Sequence, residues 1–510
     1  MRSRSTTTTG AFRKAVVGVA AFSLLAAACG GDDDDSSSAE PSAEESTADA
    51  EAAEPSEEAS AEPSEEMSEE ASEEMSEEMS DDASAEESSS AGPDTTVSGE
   101  MIIQPGECGL NNGEEATGDP IKLGAGATNV PGVDFTWGPK MSQIYFDCVN
   151  ANGGIYGHPI EFQYEDGVPD PAAWQALATK LVEEEQVHAV VGTFSLVECD
   201  VNTDYYRDNG YSPIIAGVAP TCFLDDTWSA VNMGPYYSNL GAAQAVVRAG
   251  AQGKLVAASP DQPGMDFNNT SVEDFALTQG MEFEGFLEPV PIADPAAFAQ
   301  QLVSAAGEGG GVVLNYTGPT VVPLLEAIAD QGLVDTVIWG SSTPPNDPTV
   351  AQALQDCCGT DWNGKFLINA EFDLLDSGKP DAALHVDLHG GTDDFPLSAF
   401  SQMGFLIAKS ATEALLRMGP DAEYTIESVN AAIRGLDNME SDMWCKPWYF
   451  SNDLGTGNVS NNTDRTVVPE DGNMVLLEDC FDIAAIDAGE AGANGNPLNA
   501  IRDAEAAAAG

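Results

Sequence analysis

From Ile121 onward, short apolar segments alternate with longer amphipathic ones, which predicts strands alternating with helices. The side chains of Trp174, Leu177 and Leu181 recur at helical spacing, so we predict a helix here with one buried face. Strand–helix–strand alternation predicts an α/β fold in which helices cover a parallel sheet. The predicted strands are 121–125, 160–164, 187–191, 213–216, 254–259, 281–286 and 311–315, and a further helix is predicted over 139–151.

A five-residue motif beginning with Asp-Pro occurs twice in this pattern. Residues 170–174 are Asp-Pro-Ala-Ala-Trp, and residues 294–298 are Asp-Pro-Ala-Ala-Phe. Aspartate suits a helix N-cap and proline the first helical position. Because each copy lies between two predicted strands, the repeat predicts two similar lobes. Ligands of parallel sheets bind beyond the carboxyl ends of the strands, so two facing lobes would share one cleft.

The amino-terminal segment has the pattern of an export signal. Four basic side chains within residues 1–14 precede an apolar run over residues 15–28. Fourteen apolar residues are too few to span a bilayer but suit a signal peptide. Small residues directly before Cys29 resemble the bacterial lipobox, so residues 1–29 are predicted to be a lipoprotein signal with Cys29 as the lipidated residue. The alternative is an ordinary cleaved signal followed by an incidental cysteine.

An acidic segment follows the predicted signal. Residues 31–99 contain 26 acidic and no basic side chains, and almost no aromatic ones. Such a segment buries too little apolar surface to offset chain entropy, so we predict a disordered linker over 30–99. Its Ser-Glu-Glu-Met/Ala repeats leave a helical stalk or a cation-binding repeat as alternatives. The Gly/Ala/Asn-rich residues 487–510 are also predicted to be a disordered tail.

Length and charge narrow the class of protein. A chain of 510 residues exceeds one hydrophobic core, so two or more compact units are expected. The formal net charge of −68 repels phosphate backbones and anionic membrane surfaces, which excludes nucleic-acid binding. No later apolar run has transmembrane length, so we expect an extracytoplasmic protein anchored to the cell membrane only through its lipid.

Eight cysteines remain after Cys29, and an even number in an exported chain predicts disulfides. Eight cysteines can pair in about 105 ways, so the pairing stays open. A metal site is less favoured, because the sequence has no Cys-x-x-Cys pair. The pairings considered are Cys199 with Cys222, Cys445 with Cys480, Cys108 with Cys148, and Cys357 with Cys358 as a vicinal bridge or two free thiols.

Candidates for chemistry are few. His385 and His389 have the i, i+4 spacing of zinc ligands on a helix. Gly390 and Gly391 follow at once and no third ligand is evident, so a solvated surface turn is favoured. The sequence lacks a Gly-x-Ser-x-Gly elbow, a His-Glu-x-x-His motif and a phosphate-binding Gly-Lys-Ser motif. We therefore predict no catalytic residue, no cofactor and no resident metal.

One stretch carries a family resemblance. The sequence Asn-Ala-Asn-Gly-Gly-Ile at 150–155, followed by Gly-His-Pro-Ile at 157–160, resembles the type I periplasmic solute-binding proteins. The most similar branch binds leucine, isoleucine and valine, and the resemblance extends over about residues 118–485. It implies two Rossmann-like lobes joined by a three-crossover hinge. It places residues 118–235 with 366–440 in lobe 1 and residues 236–365 with 441–486 in lobe 2.

The resemblance also implies a binding site, with the loops after the third and fourth strands supplying hydroxyl and backbone groups. The acids that hold an α-ammonium group in the family have no match here, and Pro263-Gly264 replaces a Tyr-Gly pair. These departures disfavour an amino-acid solute and favour a neutral, amide or aromatic one. The implied ligand-binding residues are Trp137, Phe194, Ser195, Val218, Ala219, Thr221, Tyr236 and Tyr316.

The implied function is a solute-binding receptor of an ABC-type importer. Its solute would be a branched-chain amino acid, an amide, urea or a small neutral or aromatic compound. The implied partner is an ABC permease in the membrane, and the receptor itself is expected to be a monomer. A lipid-anchored sensory or adhesive protein on the same fold is the alternative. A hydrolase is disfavoured, because Ser195 has no plausible histidine partner.

Overall fold

The computed structural model describes residues 100–131, 133–262, 265–450 and 462–483. The predicted signal with Cys29, the acidic linker and the 487–510 tail lie outside the described residues. Among the described helices, none is both long and apolar enough to cross a membrane.

Strands form two sheets that follow one another along the chain. The first sheet contains β1 (Ile121–Val130), β2 (Val133–Asp134), β3 (Ile160–Gly167), β4 (Ala189–Phe194), β5 (Ile214–Ala216) and β6 (Ser229–Ala230). The second contains β7 (Lys254–Pro260), β8 (Glu282–Glu288), β9 (Gly311–Leu314), β10 (Ile338–Ser341), β11 (Phe366–Ala370), β12 (Thr463–Glu470) and β13 (Asn473–Asp482).

The two sheets repeat one topology. The parallel strands of the first are ordered β3-β1-β4-β5-β6, and those of the second β8-β7-β9-β10-β11. In each sheet the second parallel strand of the chain, β3 or β8, pairs with the outer edge of the first, β1 or β7. This is a doubly wound order. β2 pairs antiparallel with β1, and β12 and β13 extend the second sheet antiparallel. The predicted α/β fold with two similar lobes is confirmed.

Helices connect these strands and cover the sheets. They are α1 (Trp137–Ala151), α2 (Pro171–Thr179), α3 (Glu198–Asp208), α4 (Thr221–Leu224), α5 (Gly234–Arg248), α6 (Met265–Thr278), α7 (Pro295–Ala306), α8 (Gly318–Asp330), α9 (Pro348–Cys358), α10 (Pro380–His389), α11 (Ala399–Arg417) and α12 (Ile426–Arg434). A π-helical turn over Lys180–Glu184 extends α2.

The two Asp-Pro motifs start equivalent helices, as predicted. The Asp170 carboxylate accepts a hydrogen bond from the Ala173 amide at 2.9 Å, at the start of α2. The Asp294 carboxylate accepts one from the Ala297 amide at 3.0 Å, at the start of α7. A third Asp-Pro start, absent from the predictions, begins α9, where the Asp347 carboxylate accepts a hydrogen bond from the amide two residues on, that of Thr349, at 2.7 Å.

The chain passes between the sheets three times, which confirms the three-crossover hinge. The crossovers follow β6, follow β11 and lie between α12 and β12. α5 packs on the second sheet, whereas α11 and α12 pack on the first. Residues 366–370, expected in lobe 1, form β11 between β10 and β12, because a fully buried apolar strand does not reveal which sheet it joins.

Within the described residues there are four disulfides, and they are pairings that the sequence analysis considered. Cys108–Cys148 ties the segment before β1 to α1, and Cys199–Cys222 joins α3 to α4. The vicinal cysteines form a bridge at the end of α9 rather than two free thiols. The Cα–Cα distances are 6.0 Å for Cys108–Cys148, 5.3 Å for Cys199–Cys222, 3.8 Å for Cys357–Cys358 and 5.7 Å for Cys445–Cys480.

The prediction of a solvated turn at His385 and His389 is wrong. Both side chains are buried on α10. His385 Nε2 lies 3.0 Å from Ser401 Oγ, and His389 Nε2 donates to the Phe395 carbonyl at 2.8 Å. Burial, with His389 nearby, lowers the pKa of His385 to about 3. The two glycines end the helix immediately after His389, so they mark its end rather than the exposure of the histidines.

Candidate solute-binding cleft

A cavity of about 770 Å³ lies where the carboxyl ends of the strands in the two sheets face each other. In each sheet the strand order reverses beside the first strand, that is, between β1 and β4 in the first sheet and between β7 and β9 in the second. Loops after all four of these strands reach the cavity. Ligands of doubly wound sheets bind at such reversal points.

The wall contributed by the first lobe is apolar. Phe135 and Phe400 pack against each other there with their ring centroids 5.2 Å apart. Phe194 packs closely over the first turn of α1, since a Cβ at Gly138 would lie 2.1 Å from its ring. The other lining residues of this wall are Val133, Leu196, Ala216, Gly217, Val218, Asn232 and Met403.

The wall contributed by the second lobe carries a network of hydrogen-bonded polar groups. Asn315 Oδ1 accepts from Ser342 Oγ at 2.7 Å, and Asn315 Nδ2 donates to Ser259 Oγ at 3.3 Å. Thr343 Oγ1 accepts from Asn369 Nδ2 at 2.9 Å. Ser259 lies on β7 and Asn369 on β11, whereas the other three residues follow β9 or β10, so the sheet itself fixes their positions.

Glu371 lies at the base of the cavity, directly after β11. It is 2% exposed, and its Oε2 accepts a hydrogen bond from the Met233 amide at 2.7 Å. Burial raises the pKa of Glu371 to about 8, although hydrogen bonds from Met233 and Thr343 act against this. At neutral pH the side chain is therefore mainly protonated, and it presents a neutral hydrogen-bonding group to the cavity.

A second cavity of about 410 Å³ lies beside the first and shares four lining residues with it, namely Val133, Thr317, Pro344 and Phe400. Trp137 lines this second cavity, where its indole Nε1 donates to Asp134 Oδ2 at 3.1 Å. Asp347 also lines it while capping α9 through the Thr349 amide. The two cavities together form one elongated cleft.

Four of the predicted site residues lie on this cleft. Phe194, Val218 and Tyr316 line the larger cavity, and Trp137 lines the smaller one. The Tyr316 hydroxyl is turned to the protein, where it donates to the Ser259 carbonyl at 3.1 Å. Tyr316 therefore offers its ring to the cavity.

The other four do not line either cavity. Ser195 Oγ accepts from the amides of Val197 and Glu198 at 3.1 and 3.0 Å, so it stabilises the start of α3. Ala219 is fully buried in the core, and Thr221 donates to an Asp200 carboxylate oxygen. The remaining residue is Tyr236, which donates to Asp274 Oδ2 at 3.2 Å and stacks on Phe267.

Sequence reasoning missed several residues of the cleft. Phe400 and Met403 come from α11, more than 260 residues after Phe135 in the chain, and no local pattern links them. Glu371 could have been found, because it is an acid placed directly after a continuous apolar strand. The Pro263-Gly264 loop lies outside the described residues.

Known proteins share this architecture. The sequence matches the family model of the periplasmic binding proteins over residues 132–465, and no match is found among curated proteins. One similar structure is a fatty acid ABC transporter substrate-binding protein from Thermomonospora curvata, with 17% identity, a TM-score of 0.62, and coverage of 73% of this chain and 94% of that one.

Two further structures extend the comparison. A branched-chain amino acid ABC transporter protein from Thermus thermophilus with bound valine has 15% identity, a TM-score of 0.62, and coverage of 72% of this chain and 98% of that one. A solute-binding protein from Rhodopseudomonas palustris HaA2 in complex with p-hydroxybenzoic acid has 18% identity, a TM-score of 0.57 and the same coverage. At these identities the structures establish the fold, and the family match identifies the chain: it belongs to the periplasmic binding proteins, a family of solute-binding receptors.

Proposed function

We propose that this protein is the extracytoplasmic receptor of an ABC-type importer and that it closes its two lobes on a small solute. The observation that carries the proposal is the largely apolar cavity at the strand-order reversals of both sheets. The similar structures belong to ABC transporter proteins that hold valine or p-hydroxybenzoic acid, which supports the importer role. The candidate solutes stay those of the sequence analysis: a branched-chain amino acid, an amide, urea or a small neutral or aromatic compound.

Contacts between the crossovers support a hinge. Met233, in the first crossover, donates its amide to Glu371 in the second. The Asp373 amide donates to the Met443 carbonyl at 2.9 Å, which connects the second crossover to the third. A solute held by both lobes would favour the closed state, and the permease would recognise that state.

We assign Trp137, Phe194, Val218 and Tyr316 as solute contacts, because their side chains line the cleft. The other four candidates would act indirectly, by holding in place the loops and helices that carry the solute contacts. They are Ser195, Ala219, Thr221 and Tyr236. The elements of lobe 1 would then lie within 121–230 and 380–434, and those of lobe 2 within 234–370 and 463–482.

The membrane attachment is part of the proposal. Cys29 would carry the lipid, and the acidic linker would let the folded part reach the permease while it stays near the membrane. The partner would be the permease, with no nucleic acid involved, and the receptor itself would be a monomer.

The test is receptor-dependent ATP hydrolysis by a candidate ABC permease from the same organism, reconstituted in vesicles with and without solute. Stimulation only when receptor and solute are both present is expected for an importer. Small-angle scattering of the receptor should show a smaller radius of gyration with solute, as the lobes close. Solute binding and closure without any stimulation of the permease would instead favour the sensory or adhesive alternative.

A further inference from the structure

The two walls of the cleft offer a solute different chemistry. Asn232 is the polar side chain of the lobe 1 wall, and both ends of its amide bond to the backbone of Gly217. Its Oδ1 accepts from the Gly217 amide at 2.8 Å, and its Nδ2 donates to the Gly217 carbonyl at 2.9 Å. On this side a solute contacts hydrocarbon groups, namely aromatic rings and aliphatic side chains such as those of Leu196 and Val218.

Charge is scarce in the cavity as well. Among the lining residues in the described part of the chain, Glu371 is the single carboxylic acid, and no lysine, arginine or histidine joins it. A solute carboxylate would be buried without a cationic partner, which costs several kcal/mol by general estimates. An ammonium group would require Glu371 to ionise, although burial favours its neutral form and Oε2 already accepts from Met233.

The carboxylates of the neighbouring smaller cavity are also engaged by their own chain. Asp134 Oδ1 accepts from the Thr136 amide at 2.9 Å, and Asp134 Oδ2 accepts from the Trp137 indole. Asp347 Oδ1 accepts from the Thr349 amide at 2.7 Å. These acids therefore stabilise the first turns of helices, and they lie in the smaller cavity rather than in the larger one that Glu371 lines.

We infer that the solute is an uncharged, mainly apolar molecule with one hydrogen-bonding group, such as a hydroxyl, carbonyl or amide. Its apolar body packs against Phe135, Leu196 and Phe400 of lobe 1, and its polar group points to Asn315 and Glu371 on the other side. The inference rests on the proposed receptor function, and it narrows the solutes considered there by removing zwitterionic amino acids.

A charge series on one carbon skeleton tests the class. The full-length chain is titrated with N-phenyl-1-naphthylamine, an uncharged fluorophore that brightens in apolar cavities. The bound probe is then displaced with 3-phenylpropan-1-ol, 3-phenylpropanoate, 3-phenylpropylamine or phenylalanine. We expect the alcohol to displace the probe at a concentration at least about tenfold below the three charged compounds.

Each other outcome has a defined meaning. A carboxylate, amine or amino acid that displaces the probe as well as the alcohol, or better, overturns the solute class and leaves the receptor function standing. Failure of all four compounds to displace a bound probe overturns the class too. If the probe does not bind at all, the proposed receptor function of this cleft fails with it.

Two matched variants locate the binding. Val218→Asp places a carboxylate in the apolar wall at a half-buried position, whereas Val168→Asp makes the same change at a position that is 53% exposed. We expect the first to weaken binding of the probe and the alcohol at least about tenfold and the second to leave both unchanged. Equal binding by the two variants, both folded by circular dichroism, would place the probe outside the cleft and overturn the inference.

The Glu371→Gln variant tests whether residue 371 binds the solute as a neutral group or as a charged carboxylate. Glutamine keeps an oxygen that can accept from the Met233 amide but carries no charge. If the group acts in its neutral form, we expect the preference for the alcohol over 3-phenylpropylamine to persist in this variant. Loss of solute binding in this variant, with the fold intact, would mean that the site needs a carboxylate for a cationic solute.

Discussion

The Glu371 side chain accepts a hydrogen bond from the Met233 amide at 2.7 Å, and this contact joins the first crossover between the lobes to the second. Glu371 also lines the cleft. One side chain thus belongs to the hinge and to the solute site, so occupation of the cleft and movement of the hinge are physically connected.

Replacement of Glu371 by glutamine should change how stability depends on pH. Burial raises the pKa of Glu371 from 4.5 to about 8 in the folded state. Between those values the unfolded chain loses the proton while the folded chain keeps it. Wild-type stability is therefore favoured below pH 4.5 and falls by up to about 1.4 kcal/mol per pH unit until about pH 8. Relative to wild type, Glu371→Gln should gain stability across this window, measured by urea unfolding.

Glu198→Gln provides the comparison for that experiment. Glu198 is buried on α3, and desolvation raises its pKa to about 7, against hydrogen bonds from Tyr206 and Asn202. The pH range over which Glu198 lowers the stability should therefore end about one pH unit below that of Glu371. A constant change in the free energy of unfolding caused by the amide group cancels, because only the slopes of that free energy against pH are compared. Wild-type and Glu371→Gln curves that stay parallel from pH 4 to 8 would contradict the assignment.

Removal of the Cys199–Cys222 disulfide should lower the free energy of unfolding by about 3 kcal/mol, because the bridge closes a loop in the unfolded chain. The two cysteines are 23 residues apart in sequence. The control is the double alanine variant of Cys357 and Cys358, which are adjacent and close no such loop. Chemical denaturation of both variants gives the comparison, and equal losses would argue against the loop-entropy account.

Ser195→Ala should affect stability more than solute affinity. Its hydroxyl oxygen accepts from two amides at the start of α3 and does not line the cleft. Loss of such a cap costs about 0.5–2 kcal/mol. We expect probe affinity to stay within about threefold of wild type. Ser304→Ala, an exposed change on α7, is the control for both measurements; a tenfold loss of affinity in the Ser195 variant alone would restore Ser195 as a direct contact.

Gly404→Ala should force α1 and α11 apart. A Cβ at Gly404 would lie 2.0 Å from the Gly138 carbonyl oxygen, which belongs to the backbone and yields only if the helix moves. Overpacking of this kind costs about 1–3 kcal/mol. Probe binding should weaken too, since both helices carry cleft residues. In Gly285→Ala the nearest atom is a phenylalanine ring carbon at 3.3 Å, so unchanged stability is expected there.

Local patterns were sufficient to predict the α/β class and the two similar lobes, whereas the three crossovers were implied by the family resemblance. Apolar runs located the strands, and the Asp-Pro starts at 170 and 294 identified the duplicated units, because caps and buried strands leave marks in adjacent residues. They did not settle which sheet receives β11, since that depends on pairing between distant segments.

The site was predicted only in part for the same physical reason. Phe194 ends β4 and Val218 lies two residues after β5, and both were found, whereas Phe400 and Met403 reach the cleft from a helix that packs there only after the lobe has folded. Ser195 shows the opposite limit. A hydroxyl in a binding loop looks available in the sequence, but the adjoining amides of its own turn use it.

The disulfide pattern has a consequence for covalent labelling. All eight cysteines of the described residues are paired, and the sequence contains nine. The ninth is Cys29, the residue that we propose to be acylated. An unprocessed, unreduced chain would then react with one maleimide and the acylated chain with none. Intact-mass measurement of maleimide-treated protein would therefore count how many molecules in a preparation have acquired their lipid, without any need to detect the lipid itself.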